Sequence, residues 1–207
     1  MNTFETDLKR AIISFKFLAG IIIEYIILKS EGFNSELFLV AVPVLATLPY
    51  STAWLSDYQH GYIKEYIPRC GSLAYITGKF FACGISGGIL EAAGCFLFSL
   101  TAKKIPSIDY LLVFMSGMLW AVIAATLAAM SNSRYIAYGG SFVIYYVMVI
   151  VHDRYFENIY CLYPYEWISP KHEWVFGNEG IVILLSSLIV ILYFVYSDIL
   201  RRCISRV

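Results

Sequence analysis

The stretch FFACGISGGILEAAGCFLFSL (residues 80–100) carries a single acidic or basic residue, Glu91, in an otherwise mainly apolar and small-residue sequence. A run of about 20 apolar residues is long enough to cross the hydrocarbon core of a bilayer as a helix. Small residues recur four positions apart at Gly84, Gly88 and Ala92, a spacing that lets helices pack closely in lipid. The stretch therefore predicts a transmembrane helix with a packing face, more readily within one chain than between copies.

The composition of the whole chain agrees with this prediction. Of 207 residues, 59% are hydrophobic and 14% charged, and the mean hydropathy is +0.69; soluble domains average about 25% charged. We predict one all-α integral membrane domain, residues 1–207, with six transmembrane helices at Ile12–Leu28, Leu37–Trp54, Phe80–Leu100, Tyr110–Met130, Ile136–Val151 and Ile181–Leu200. The polar, acidic start does not resemble a signal peptide, so the first run is expected to be retained.

The orientation follows from the basic residues that flank these spans, because cationic loops tend to stay in the cytoplasm. With both termini inside, ten basic residues are cytoplasmic: Lys9, Arg10, Lys16, Lys64, Arg69, Lys79, Arg134, Arg201, Arg202 and Arg206. Five are outside: Lys29, Lys103, Lys104, Arg154 and Lys171. The bias predicts cytoplasmic termini and places residues 56–79 in the cytoplasm.

The sequence has no motif for nucleic-acid binding, nucleotide binding or metal binding. The net charge is zero, which gives no basic patch for nucleic acid, and no phosphate-binding glycine loop is present. The five cysteines are scattered without CxxC spacing, and the three histidines lack the spacing of a helical metal site. We therefore predict neither catalytic nor metal-binding residues.

The segment SDYQHGYIKEYIPRCGSLAYITGK (residues 56–79) is unusually polar and rich in tyrosine for this chain. On a helix over residues 56–67, Tyr58, Tyr62 and Tyr66 lie on one face, and Pro68 is expected to end the helix. Two interpretations remain open. The tyrosines could lie at the level of the lipid headgroups, or they could contact another protein.

The order of residues in this segment resembles the membrane subunits of the ABC transporter type-2 permease family, most of all the small single-domain permeases of Gram-positive bacteria. The matching positions are Asp57, Gly61, Arg69, Tyr75 and Lys79. The family more often has glutamate at the position of Asp57. Only about ten residues precede the first span, so an amphipathic elbow helix would be very short.

The resemblance implies a function for this segment. Residues 56–67 would form a coupling helix that docks on a separate ATPase subunit, and Tyr75 and Lys79 would lead into the third span. The residues assigned to ATPase coupling are Asp57, Tyr58, Gly61, Tyr62, Lys64, Glu65, Tyr66 and Arg69. The chain itself would hold no cofactor, since ATP and Mg²⁺ bind to the partner. A homodimer, or a pair with a similar permease, is expected in a bacterial plasma membrane.

Two acidic residues, Glu24 and Glu91, fall inside predicted spans, each about 17–18 Å from the cytoplasmic end. A carboxylate in hydrocarbon is costly, so both should face the protein interior and be protonated or paired. They are candidates for lining a translocation path. The alternatives are a pair of acids that only hydrogen-bond neighbouring helices, or proton-linked groups of an ATPase-independent transporter or membrane sensor.

The connection between the last two spans, residues 152–180, is long and aromatic. The resemblance implies re-entrant helices here, forming an outer cap that includes Tyr163, Trp167 and Trp174. An extracellular surface that recognises a peptide or lipid is the alternative, and the pattern does not choose between the two.

Overall fold

A computed structural model describes residues 3–102 and 107–205 of the chain; Lys103, Lys104 and Arg206 of the orientation count lie outside this part. The described residues are mainly helical. The α-helices are α1 (Thr3–Ile12), α2 (Phe15–Glu31), α3 (Glu36–Leu45), α4 (Ala53–Gln59), α5 (Tyr62–Cys70), α6 (Ser72–Thr101), α7 (Tyr110–Ser131), α8 (Arg134–Tyr155) and α9 (Asn178–Ile204). Two 3-10 turns, Tyr160–Leu162 and Pro164–Trp167, and a short extended segment, Val175–Gly177, precede α9.

Four of these helices, α6, α7, α8 and α9, are long and apolar enough to cross a membrane. A fifth candidate is the pair α1 and α2, which is bent by 50° at Ser14, the N-cap of α2. The all-helical membrane class is therefore confirmed. The amphipathic helix before the first span does exist, with ten residues.

The second predicted span, Leu37–Trp54, is wrong as a continuous helix. α3 ends at Leu45 after ten residues, or about 15 Å of helix, and residues 46–52 form turns before α4 begins. Proline lacks an amide donor, and Pro43 and Pro49 both fall in this segment. Hydroxyls here bond the local carbonyls, Thr47 to Val44 and Ser51 to Thr47, each at 2.6 Å. A run of apolar residues indicates that the segment is buried, but it does not show whether the segment forms one continuous helix.

α6 and α7 form the centre of the fold because their glycines allow close contact. A Cβ at Gly87 would lie 2.5 Å from Ala121 Cβ and 2.7 Å from the carbonyl oxygen of Ala46, so α7 and the end of α3 both pack against this position. A Cβ at Gly84 would lie 2.9 Å from the Met118 side chain. The small-residue face predicted from the sequence is thus confirmed as a packing face within the chain.

Side-chain hydrogen bonds join the connections at each end of the bundle. At what we call the connector end (α1, α4, α5 and residues 131–134), Arg134 donates to Gln59 at 2.9 Å. At the cap end (residues 32–35, 107–109 and 156–177), Ser169 donates to Asn34 at 3.1 Å. Each bond joins segments that the orientation prediction assigns to the same side of the membrane.

Candidate functional site: a buried lysine at the connector end

Lys79 lies near the start of α6 and is only 3% exposed. Its Nζ is 3.0 Å from Oδ1 of Asp7 on α1 and 2.8 Å from Oδ2 of Asp57 on α4, and it donates to the Tyr50 hydroxyl at 2.9 Å. A buried ammonium is tolerated only when it is paired and hydrogen-bonded. One side chain therefore ties together α1, the turn after α3, α4 and α6. We call this group the Lys79 network.

Two tyrosines complete the Lys79 network. The Tyr75 hydroxyl donates to Oδ2 of Asp57 at 2.9 Å, and the Tyr50 hydroxyl donates to Oδ1 of Asp7. Lys79 Nζ also lies over both rings, 5.0 Å from the Tyr50 centroid and 5.5 Å from that of Tyr75, which adds a cation–π attraction. The carboxylates of Asp7 and Asp57 thus each accept from one ammonium and one phenol, and these two donors fix the orientation of each carboxylate.

The local sequence explains how α1 reaches this position. Thr3, Asp7 and Ala11 lie one helical turn apart and form the buried face of α1, while Glu5 and Lys9 pair on its exposed side. The hydrogen bond and charge of Lys9 lower the pKa of Glu5. α1 can approach α6 because residue 78 is glycine: a Cβ there would lie 2.9 Å from the Thr3 hydroxyl. The Thr3 hydroxyl also donates to the Ala74 carbonyl at 3.1 Å.

The connector between α3 and α6 differs from the single helix predicted over residues 56–67. It consists of α4 and α5, which meet at Gly61. Gly61 has φ +74°, in the left-handed region that glycine adopts most easily, and this conformation ends one helix and begins the next. Pro68 does not end the second helix, which continues to Cys70 and stops at Gly71, with φ +80°.

The three tyrosines predicted to share one helical face are therefore divided between two helices, Tyr58 on α4 and Tyr62 and Tyr66 on α5. Asp57 points into the Lys79 network, and Tyr66 is half-buried with its ring 5.8 Å from that of Tyr75. Burial, followed by the charge of Asp7, raises the pKa of the Tyr66 hydroxyl. The remaining members are exposed around the bend: Tyr58, Gly61, Tyr62, Lys64, Glu65 and Arg69. The segment thus has an anchored side and a free side.

A cavity of about 330 Å³ lies between α1 and α5, lined by Arg10, Asp57, Tyr62, Glu65, Tyr66, Arg69 and Lys79. Five of these seven residues belong to the predicted coupling set, and Lys79 is the residue predicted to lead into the third span. The fifth matched position, Arg69, therefore faces the same space as Asp57 and Lys79. Four of the five matched positions therefore lie in or beside the Lys79 network, and Gly61 is exposed at the bend.

Asp7 and Tyr50 are the members of the Lys79 network that the sequence did not single out. Asp7 had a detectable signal, because it lies on the small-residue face of an amphipathic helix, between Thr3 and Ala11. An acid on the face that packs against the protein needs a buried partner. Tyr50 had no such signal, since it lies in a turn whose position depends on how α3 ends.

Glu24 and Glu91 form a second polar site, in the middle of the bundle. Both are fully buried. Glu24 on α2 lies where a Cβ of Gly94 would be, and Cys95 donates to its Oε1 at 3.6 Å. Glu91 packs against Gly117, whose Cβ would lie 2.7 Å from Glu91 Cγ. Gly94, which Glu24 contacts, is three residues from Glu91 on α6, so the two acids lie at similar positions along the bundle. Oε2 of Glu24 and both oxygens of Glu91 have no hydrogen-bond partner among the described residues.

The outer cap contains 3-10 turns, not the re-entrant helices that the resemblance implies. Trp167 is buried against Trp120 of α7, at 5.8 Å between ring centroids, and Tyr163 stacks on His152 at 4.3 Å. Trp174 is half-buried. Glu166 fixes the following turn by accepting from the backbone N–H of Lys171 at 2.9 Å; burial opposes ionisation, but this bond and those from His172 lower its pKa. Local hydrogen bonds therefore order the segment.

Comparison with models of protein families, with curated proteins and with solved structures finds no match to this chain. Its own residues and contacts are therefore the basis for a functional proposal.

Proposed function

We propose that this chain is the membrane-spanning permease subunit of an ATP-driven exporter of the ABC transporter type-2 permease family. The supporting observation is the Lys79 network. Three of the five positions that carry the family resemblance, Asp57, Tyr75 and Lys79, are in direct contact there. Their spacing along the chain thus has a physical reason, namely the anchoring of a cytoplasmic connector to the start of a transmembrane helix.

In this proposal the connector transmits motion from an ATPase. The partner subunit binds ATP and Mg²⁺, and its closure displaces the exposed bend at Gly61. Because Asp57 is bonded to both Lys79 and Tyr75 on α6, a displacement of α4 moves the third span as well. Asp7 is held by the same lysine, so α1 follows. Without this lysine, only the Tyr75 hydroxyl would bond Asp57 to α6, and Asp7 would lose its cation.

The residues proposed to touch the ATPase are those on the exposed side of the connector: Tyr58, Gly61, Tyr62, Lys64, Glu65 and Arg69. Aromatic and basic side chains beside a protruding turn suit a protein contact, since Tyr and Arg are enriched in interface centres. Asp57 and Tyr66 would support the contact from behind.

The membrane arrangement of the proposal has six crossings with cytoplasmic termini in a bacterial plasma membrane. The broken segment 36–52, comprising α3 and the turns that follow it, supplies the second crossing, and α4 belongs to the connector. Exposed apolar side chains on α8 and α9, such as Tyr146 and Phe194, would face lipid or a second permease copy. Homodimers are the simplest assembly, because two ATPase subunits need two connectors.

The decisive test compares a glycine at the connector end with a glycine at the cap end. Gly61 at the connector end and Gly32 at the cap end both have positive φ, +74° and +91°, and neither has an atom within 4 Å of an added Cβ. Substitution by tryptophan strains both turns, but only Gly61→Trp blocks the proposed ATPase contact. The measurement is affinity purification of the tagged full chain from native membranes in mild detergent, followed by assay of Mg-ATP hydrolysis and mass spectrometry of the eluate.

We expect an ATPase subunit to co-purify with wild type and with Gly32→Trp, but not with Gly61→Trp. All three chains should be inserted in the membrane at similar levels. An eluate of wild type without ATPase, or undiminished ATPase with Gly61→Trp, would refute the assignment. Equal losses in both variants would mean that backbone strain, and not a contact, controls association.

A second candidate function is an ATPase-independent transporter or sensor that uses Glu24 and Glu91 as proton-linked groups. The observation in its favour is that both acids are fully buried and that three of their four carboxyl oxygens lack a partner among the described residues. Intramembrane acids of this kind mark proton pathways in many transporters.

A further inference from the structure

A second cavity at the connector end, of about 450 Å³, lies where α1 bends into α2. We call it the elbow cavity. Its wall includes Arg10, Ser14, Phe15 and Lys16 from the bend, together with Thr52 and Ser56 from the start of the connector. Its volume is in the range of small-molecule sites, about 300–1,000 Å³. Its wall carries four hydroxyl side chains, including that of Tyr50, and two cations, beside apolar side chains.

The two cations of the elbow cavity have no anionic partner among the residues that the structure describes. Arg10 forms no hydrogen bond or ion pair with the described residues. Lys16 donates only to the Tyr138 hydroxyl, at 2.8 Å, and lies 5.5 Å from the centre of the same ring. The acid in the cavity wall, Asp57, is already paired with Lys79 at 2.8 Å. The cavity is therefore suited to an anion, and guanidinium and ammonium groups both bind phosphate oxygens well.

An apolar stripe begins at the mouth of the elbow cavity. Phe15 is 84% exposed, and Leu18, Ile22 and Ile26 continue along the same side of α2 with 55–58% exposure. Their spacing of three and four residues is that of one helix face. Two cations for a phosphate, joined to an apolar stripe along a membrane helix, match the chemistry of a phospholipid and not of a free phosphate compound.

We propose that the elbow cavity binds the headgroup of an anionic phospholipid, with Arg10 and Lys16 on the phosphate and an acyl chain along Phe15, Leu18 and Ile22. The orientation prediction places both cations on the cytoplasmic side, where anionic lipids attract basic residues. A lipid bound here contacts both sides of the bend at Ser14. Because α1 carries Asp7, the lipid also supports the Lys79 network. This proposal requires a membrane but no ATPase.

The test measures lipid retained by the full chain, purified in mild detergent and titrated with phosphatidylglycerol or phosphatidylcholine, by native mass spectrometry. Arg10→Gln/Lys16→Gln removes the two cations, and Arg201→Gln/Arg202→Gln removes two exposed cations from α9 on the same predicted side. Ser56→Phe fills the cavity without changing the charge. Glycerol 1-phosphate, which has the phosphate but no acyl chains, serves as the competitor.

We expect one tightly retained phosphatidylglycerol per chain, preferred at least tenfold over phosphatidylcholine, and retention at least tenfold weaker in the elbow double variant and in Ser56→Phe. The α9 double variant should bind as wild type does. Equal retention of the two lipids, competition by glycerol 1-phosphate at the lipid's own concentration, or normal retention in Ser56→Phe would overturn the proposal. So would a double variant that keeps the lipid and loses only an ATPase, since the cations would then belong to a protein contact.

Discussion

At the scale of single residues, Lys79 joins several parts of the fold through one side chain. Its ammonium group compensates two carboxylates, Asp7 at 1% and Asp57 at 21% side-chain exposure, and it bonds the Tyr50 hydroxyl. A buried ion pair adds little net stability when compared with an apolar replacement of both partners. Removing only one partner is different, because it leaves a charge buried without compensation. Loss of Lys79 alone would therefore leave the buried carboxylate of Asp7 without its cation.

Lys79→Met should lower the free energy of unfolding by about 3–5 kcal/mol, since Asp7 would remain buried without its cation. Adding Asp7→Asn should recover part of the loss. The matched control is Lys9→Met, which breaks the exposed pair with Glu5 on the same helix and should leave the melting temperature unchanged. The melting temperatures of Lys79→Met, of Lys79→Met combined with Asp7→Asn, and of Lys9→Met are measured by thermal unfolding in mild detergent. Equal melting temperatures for Lys79→Met and Lys9→Met would mean that the Lys79 network does not hold α1 to α6.

At the scale of helices, the contact between α6 and α7 depends on the absence of side chains. Gly87 faces backbone oxygens of both Ala46 and Gly117, at 2.7 Å and 3.1 Å from where a Cβ would be. Backbone atoms cannot move aside as a flexible side chain can. Association in lipid relies on such packing, because the bilayer gives no hydrophobic force between helices. The position of Glu91 against Gly117 depends on the same close approach.

Gly87→Ala should destabilise the protein by about 1–3 kcal/mol, the usual range for an overpacked core. Gly139→Ala on α8 is the control, because Gly139 is exposed and has no atom within 4 Å of an added Cβ. That variant should be neutral or slightly more stable, since alanine favours a helix. Thermal unfolding in detergent distinguishes them. If both variants melt together with wild type, α6 and α7 are not held at the distance seen here.

At the scale of the whole molecule, the two ends and the middle of the bundle have different chemistry. The connector end contains the Lys79 network and two cavities with basic residues, the cap end is aromatic, and the middle contains Glu24 and Glu91. Energy from an ATPase would arrive at the connector end. Energy from a proton gradient would act through the acids in the middle. The two candidate functions can therefore be separated by removing one source at a time.

With ATP present and the proton gradient collapsed by an uncoupler, wild type, Glu24→Gln and Glu91→Gln should all continue to export. The amide keeps the size of the acid but cannot take up or release a proton. The measurement is transport, into inverted vesicles, of a compound that stimulates ATP hydrolysis by the purified complex. Transport that stops with the gradient, and is equally absent in either Gln variant, would establish the proton-linked function instead.

Hydropathy and residue spacing were enough to predict the membrane class, the approximate positions of α6 to α9 and the small-residue face of α6, because these follow from hydrophobic length and helical spacing. The resemblance of one segment also singled out Asp57, Tyr75 and Lys79, but it did not predict that they are in contact. The end of α3 at Leu45, the bend of the connector at Gly61, and the contacts of Asp7 and Tyr50 with Lys79 became known only from the folded chain. The reason is that hydropathy reports where a side chain is buried, whereas a break in a helix and a contact across 72 residues depend on which carbonyls, hydroxyls and charges meet once the helices have packed.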